Sequence, residues 1–147
     1  MRKIVLLVVC CLMIASCSTT SKLYYWGGTQ MNEISKYENL AYKNYKVQTP
    51  EAICNLICVY EDMVNHPGGT RKVTPPGVCA EYGYLLLSPG TAETFASNAT
   101  PTQKKIFESD DYSALFAEKG KKLMEMEIEN YPESEQFIKP LIKKLAN

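Results

Sequence analysis

The chain of 147 residues holds a single histidine and no excess of charge, with 16 Lys and Arg matched by 16 Asp and Glu. Any catalysis built on a histidine base has one candidate, His66. It stands before Pro67-Gly68-Gly69 at an expected helix end, where a capping or solvent-facing role is the ordinary one. A G-x-S-x-G nucleophile elbow is missing. So is Cys-x-x-Cys-His, which excludes a c-type haem attachment. Gly27-Gly28 lacks the later Gly-Lys of a phosphate-cradling loop. With no catalytic constellation and no cofactor motif, the chain is expected to be non-enzymatic. The charge balance removes the electrostatic footprint that nucleic acid requires. No apolar run approaches the roughly 20 residues of a spanning helix. Alternating apolar and polar runs are few, so little sheet is expected.

What is present begins at the N-terminus. Met1-Arg2-Lys3 is a short cationic start, and Ile4 to Ile14 is an apolar run of about eleven residues. That layout is a secretory signal, long enough for export and too short to span. The run ends in Ile14-Ala15-Ser16-Cys17, which resembles the lipobox of bacterial lipoproteins. The resemblance implies cleavage before Cys17 and a diacylglyceryl thioether on its sulfur. Two or three acyl chains make such an attachment effectively permanent, since each buried methylene contributes about 0.8 kcal/mol. Residues 1–16 are therefore expected to be a lipoprotein signal peptide. Residues 17–30 are expected to be the lipidated cysteine and a tether with an aromatic cluster. Residues 31–147 form the expected folded domain. Ser18 follows the cysteine, with no Asp and no acidic run there, which by resemblance to proteobacterial sorting favours the periplasmic face of the outer membrane. Losing Arg2 and Lys3 with the leader leaves 14 basic against 16 acidic groups. Attachment is thus expected to depend on lipid and not on a basic patch.

Helical spacing dominates the remainder. A first helix is expected over about Met31 to Tyr45, with Ile34, Tyr37, Ala41 and Tyr45 on one face. Thr49-Pro50 starts a second, running to about Asn65, because Thr can cap orphan amides and Pro suits the first helical position. Its inner stripe is Ile53, Leu56, Ile57, Tyr60, Met63 and Val64, with Asn55, Glu61 and Asp62 facing away. Val78, Tyr82, Leu85 and Leu86 mark a short helix ended by Ser88-Pro89-Gly90. Residues 88–110 read as a polar insert in which Thr100-Pro101 caps a brief helix through Phe107. Asp110 or Asp111 starts the longest helix, to about Asn130, with Phe116, Gly120, Met124, Ile128 and Tyr131 inward. Gly120 there costs about 1 kcal/mol relative to Ala, a cost that fits close approach by a neighbouring helix. A last helix carries Phe137, Ile138, Leu141, Ile142 and Leu145, kinked or started by Pro140. The expected fold class is all-α, in antiparallel helical hairpins.

Three segments carry a resemblance: Tyr24-Tyr25-Trp26-Gly27 just after Cys17, the run Pro75-Pro76-Gly77-Val78-Cys79-Ala80-Glu81-Tyr82-Gly83-Tyr84-Leu85-Leu86-Leu87, and Tyr131-Pro132-Glu133-Ser134. Together they resemble a domain-of-unknown-function family of small bacterial lipoproteins. Its members are similar to tetratricopeptide repeats and are often encoded beside a curli-secretion-channel-like lipoprotein. The resemblance implies a protein-interaction or assembly module accessory to a curli-type secretion or envelope complex. It implies an envelope protein partner and names no activity. Ala80, Gly83, Gly120 and Pro132 match the repeat's small contact residues and closing proline, while the 88–110 insert departs from its tight turn.

The residues singled out for partner binding are Tyr24, Tyr25, Trp26, Tyr82 and Tyr84, since large amphipathic rings dominate interfaces. The first three have an alternative fate, packing on the protein's own first hairpin. Cys54, Cys58 and Cys79 remain once the leader and the lipidated sulfur are set aside. With His66 they could make a Cys₃His zinc site. Cys79 could bridge Cys54 or Cys58, or all three could be buried thiols behaving as small hydrophobes. A periplasmic thiol- or metal-dependent function using these three is the alternative to the interaction module.

Overall fold

A computed structural model describes residues 21–28 and 34–145. The expected signal peptide and Cys17 lie outside the described residues, as does the start of the expected first helix at Met31. All regular structure among the described residues is helical: α1 (Lys36–Val47), α2 (Pro50–Asn65), α3 (Val78–Leu87), α4 (Thr91–Asn98), α5 (Pro101–Lys105), α6 (Tyr112–Asn130), a single 3₁₀ turn (Pro132–Ser134) and α7 (Glu135–Leu145). None of these helices is long and apolar enough to cross a membrane.

The helix starts follow capping chemistry. Thr49 Oγ1 accepts from the Ala52 amide at 3.2 Å and Pro50 opens α2. Asp111 Oδ1 accepts from the Ala114 amide at 3.0 Å at the head of α6. Thr100 and Gln103 form a reciprocal capping box on α5. A second such box, Ser35 with Glu38, starts α1 at Lys36, later than the apolar spacing suggests. Ile34 consequently lies outside the helix, and Tyr45 is 85% exposed instead of inward.

Helix α2 sits at the centre, packed by α1, α3 and α4. Being covered on several sides, it buries more than one stripe: Cys54, Leu56, Ile57, Val59, Tyr60 and Met63 are all in the core. Glu61, expected to face solvent, is buried for the same reason. The tightest pair is α3 with α6. A Cβ built on Gly83 would come 2.6 Å from the Gly120 carbonyl oxygen, and one on Gly120 would come 3.0 Å from the Gly83 carbonyl oxygen. The two backbones therefore touch where neither residue has a side chain.

Residues 88–110, expected as a polar insert with one brief helix, hold two. They form α4 and α5, and α4 drives Phe95 fully into the core. Its ring meets Phe107 and Tyr112 at 5.1 Å and Phe116 at 5.4 Å between centroids, in edge-on geometries that suit ring quadrupoles. On α6 the inner stripe shifts: Leu123 and Glu127 are buried, while Ile128 is only half-buried. Pro140 lies inside α7 and does not start it. Ile138 packs inward from α7, whereas Phe137 is largely exposed.

Candidate functional site

Residues 22–28 form a strap across the loop that follows α2. The carbonyl oxygens of Lys22 and Leu23 accept from the amides of Thr70 and Arg71, each at 3.1 Å. Gly69 makes this approach possible. Its φ is +76°, and a Cβ there would lie 2.4 Å from the Leu23 carbonyl oxygen. Further along, Tyr25 donates its hydroxyl to Asp62 Oδ2 at 2.7 Å, and His66 Nδ1 lies 3.1 Å from Oδ1 of the same carboxylate. The strap ends where the Gly28 carbonyl accepts from the Lys36 amide at 2.9 Å, at the head of α1.

Strap, α1 and α3 enclose a cleft of about 610 Å³. Tyr24, Tyr25 and Trp26 wall it from the strap, Tyr37 and Glu38 from α1, and Glu81 from α3. A ladder of rings runs inward from its wall: Trp26 to Tyr37 at 5.5 Å, Tyr37 to Tyr60 at 5.7 Å, and Tyr60 to Tyr82 at 5.2 Å. Glu81 Oε2 accepts from both Tyr37 at 2.5 Å and Tyr60 at 2.9 Å. Burial, reinforced by that carboxylate, pushes both phenols well above their ordinary range, so they act as fixed donors.

Two buried carboxylates hold the scaffold beneath. Glu61, 5% exposed, accepts from Tyr82 at 2.7 Å, Asn65 at 2.9 Å and the Lys119 ammonium at 2.6 Å. Glu127 accepts from the Gly77 amide at 2.7 Å and so caps α3, whose own N-cap glycine has no side chain to do it. Burial raises the Glu127 carboxyl above its ordinary range, against the opposing pull of the Gly77, Ala80 and Cys79 amides.

The structure brings Tyr24, Tyr25 and Trp26 together at the cleft, where Tyr24 and Tyr25 are half-buried on the protein's own body and Trp26 is 37% exposed. Tyr82 corrects the expectation placed on it. It is sealed from solvent at the inner end of the ladder with its hydroxyl on Glu61, and cannot touch a partner directly. Tyr84 is exposed on α3 but does not line the cleft. Tyr37, expected only on a face of the first helix, belongs to the site together with Glu38 and Glu81, which the sequence does not mark as site residues. Glu81 carries no local signal, because its phenolic partners are 44 and 21 residues away.

Cys54, Cys58 and Cys79 are free thiols, with Cys54 and Cys79 buried and Cys58 half-buried. Burial pushes Cys58 and Cys79 up to about 11, so both stay protonated at neutral pH. No metal-holding group of His, Cys, Asp and Glu is found among the described residues, and exposed His66 turns to Asp62. Cys54 and Cys79 belong to the hydrophobic core and Cys58 packs against it, with Cys54 Sγ 4.0 Å from the Thr94 carbonyl oxygen. Compared with family models, curated proteins and solved structures, the chain matches none.

Proposed function

We propose that the protein is a lipid-anchored, non-enzymatic interaction or assembly module of the bacterial envelope, and that the aromatic cleft is where it meets a protein partner. The strap carries this reading. Lys22, whose carbonyl is bonded to Thr70, is five positions beyond Cys17, and five extended residues reach at most about 18 Å. A lipid on Cys17 would therefore hold the body close to the headgroups, and the cleft wall is built from the segment that leaves the anchor. Tyr24, Tyr25, Trp26 and Tyr37 supply the large amphipathic rings that dominate interface energetics. The reading places the protein on the periplasmic face of the outer membrane. Its partner would be an envelope protein of the kind the family resemblance implies, a curli-secretion-channel-like lipoprotein.

The tetratricopeptide-like arrangement belongs to the same proposal. It is supported by the Gly83–Gly120 crossing of α3 with α6, by the hairpin of α1 with α2, and by Pro132 directly after α6. In chain order helices α4 and α5 come between the members of the second pair, and with so few units any groove of that type would be short.

Site-directed photo-crosslinking tests the reading. A photoactivatable side chain in place of Lys22, in full-length protein in native membranes, should capture one discrete envelope protein. The same side chain at exposed Glu125, outside the cleft lining, should not. Equal capture from both positions, or none from Lys22 in membranes where the anchor is intact, would remove the cleft as the partner site.

A further inference from the structure

We infer that the cleft takes a cationic side chain of the partner, an arginine or lysine, held against the Trp26 and Tyr37 rings by the carboxylates of Glu81 and Glu38. This rests on the cleft being the partner site. Both rings line the cleft, with their centroids 5.5 Å apart and their faces inclined at 35° to each other. A cation over such faces is attracted by the ring quadrupole, and Trp is the strongest of the rings. Two carboxylates from different helices converge on the same space, and each is already oriented. Glu81 Oε2 takes the Tyr37 and Tyr60 hydroxyls. Glu38 Oε2 takes the Ser35 amide and hydroxyl, at 3.3 and 3.0 Å. Both residues are exposed where they line the cleft. An incoming cation meets fixed acceptors and loses little to ordering them.

Other ligand chemistries fit less well. An anion would face two carboxylates at short range. A neutral apolar group would gain ring area and leave both carboxylates desolvated without compensation. Lys22, the one cation among the lining residues, is exposed on the strap, so the lining carries net negative charge.

The test uses the only tryptophan in the chain, Trp26, as its reporter. Full-length protein in detergent micelles is titrated with acetyl-Gly-Arg-Gly-amide and with the citrulline peptide, which has the same shape without the charge. Trp26 emission should change saturably with the arginine peptide, and the citrulline peptide should bind about tenfold more weakly or less. Glu81→Gln and Glu38→Gln should each weaken the arginine peptide by several-fold and leave the citrulline peptide unchanged. Circular dichroism reports that the fold is retained. Equal affinity for the two peptides overturns the inference, as does an arginine affinity unaltered in both variants. If the Lys22 crosslink to a partner persists in that case, the cation reading falls and the partner site stands. If the crosslink is absent too, both fall.

Discussion

Replacing Gly83 with alanine places a methyl group in the α3–α6 crossing, 2.6 Å from the Gly120 carbonyl oxygen, 2.9 Å from Met124 Cγ and 3.4 Å from Leu123 Cβ. Two effects oppose each other. Alanine is the better helix former by about 1 kcal/mol. Overpacking a fitted contact costs about 1–3 kcal/mol, and here the upper end applies because the nearest obstacle is backbone and not a flexible tip. The net expectation is a loss of about 1–2 kcal/mol, or roughly 4–8 °C in Tm for a chain of this size. Urea unfolding followed by far-UV circular dichroism should show a lower midpoint at unchanged slope. Gly120→Ala should cost less, because its closest obstacle is the Leu87 side chain at 2.6 Å. The double variant should lose less than the sum, since one separation of the helices relieves both clashes. A Gly83→Ala protein as stable as wild type, or more so, would refute the close crossing.

Other substitutions probe the buried polar groups. The raised Glu127 carboxyl keeps its proton in the folded state at pH values where the unfolded chain has lost it. Its contribution is therefore fully present below the ordinary value of 4.5 and is lost as pH rises through the higher folded value. Wild type should lose more stability than Glu127→Gln between pH 4 and pH 7 in paired urea titrations, and parallel slopes would contradict this. Lys119→Met leaves Glu61 buried without its cation. Because Lys119 is 26% exposed, the expected cost is about 1–3 kcal/mol rather than that of a fully buried pair, and an unchanged midpoint would count against the network. Native protein at pH 8 should resist an aromatic disulfide reagent at Cys54, Cys58 and Cys79, all three reacting only on unfolding. Prompt native labelling would favour the thiol-dependent reading.

Local rules made much of the helical order legible in the sequence. Thr49-Pro50, Thr100-Pro101 and Asp111 cap helices where their chemistry says they should, and Gly120 marks a close approach. Ser35 and Glu38 form an equally local capping box, yet the apolar spacing around Ile34 pointed to an earlier start. Helix α4 was hidden because its N-cap is Gly90 at φ +79° and its one large apolar residue, Phe95, sets no period. Glu61 and Glu127 broke the apolar stripes of their helices, and their burial follows from partners 58 and 50 residues away. The candidate site was half visible. The Tyr24-Tyr25-Trp26 cluster stands out by composition, whereas Tyr37, Glu38 and Glu81 join it only through the tertiary fold. The strap's pairing with residues 69–71 depends on Gly69, which in the sequence reads only as part of a helix-terminating Pro-Gly-Gly.

Everything proposed for the cleft depends on residues 22–28 being laid down as part of the body. Amide hydrogen exchange at Thr70 and Arg71, whose N–H groups donate to the Lys22 and Leu23 carbonyls, reads that directly. Both amides should be protected in wild type and should lose protection in Gly69→Ala, where the added methyl would meet the Leu23 carbonyl oxygen. Exchange of both amides at unprotected rates in wild type would mean that the strap is not held, and that the cleft it walls is not formed.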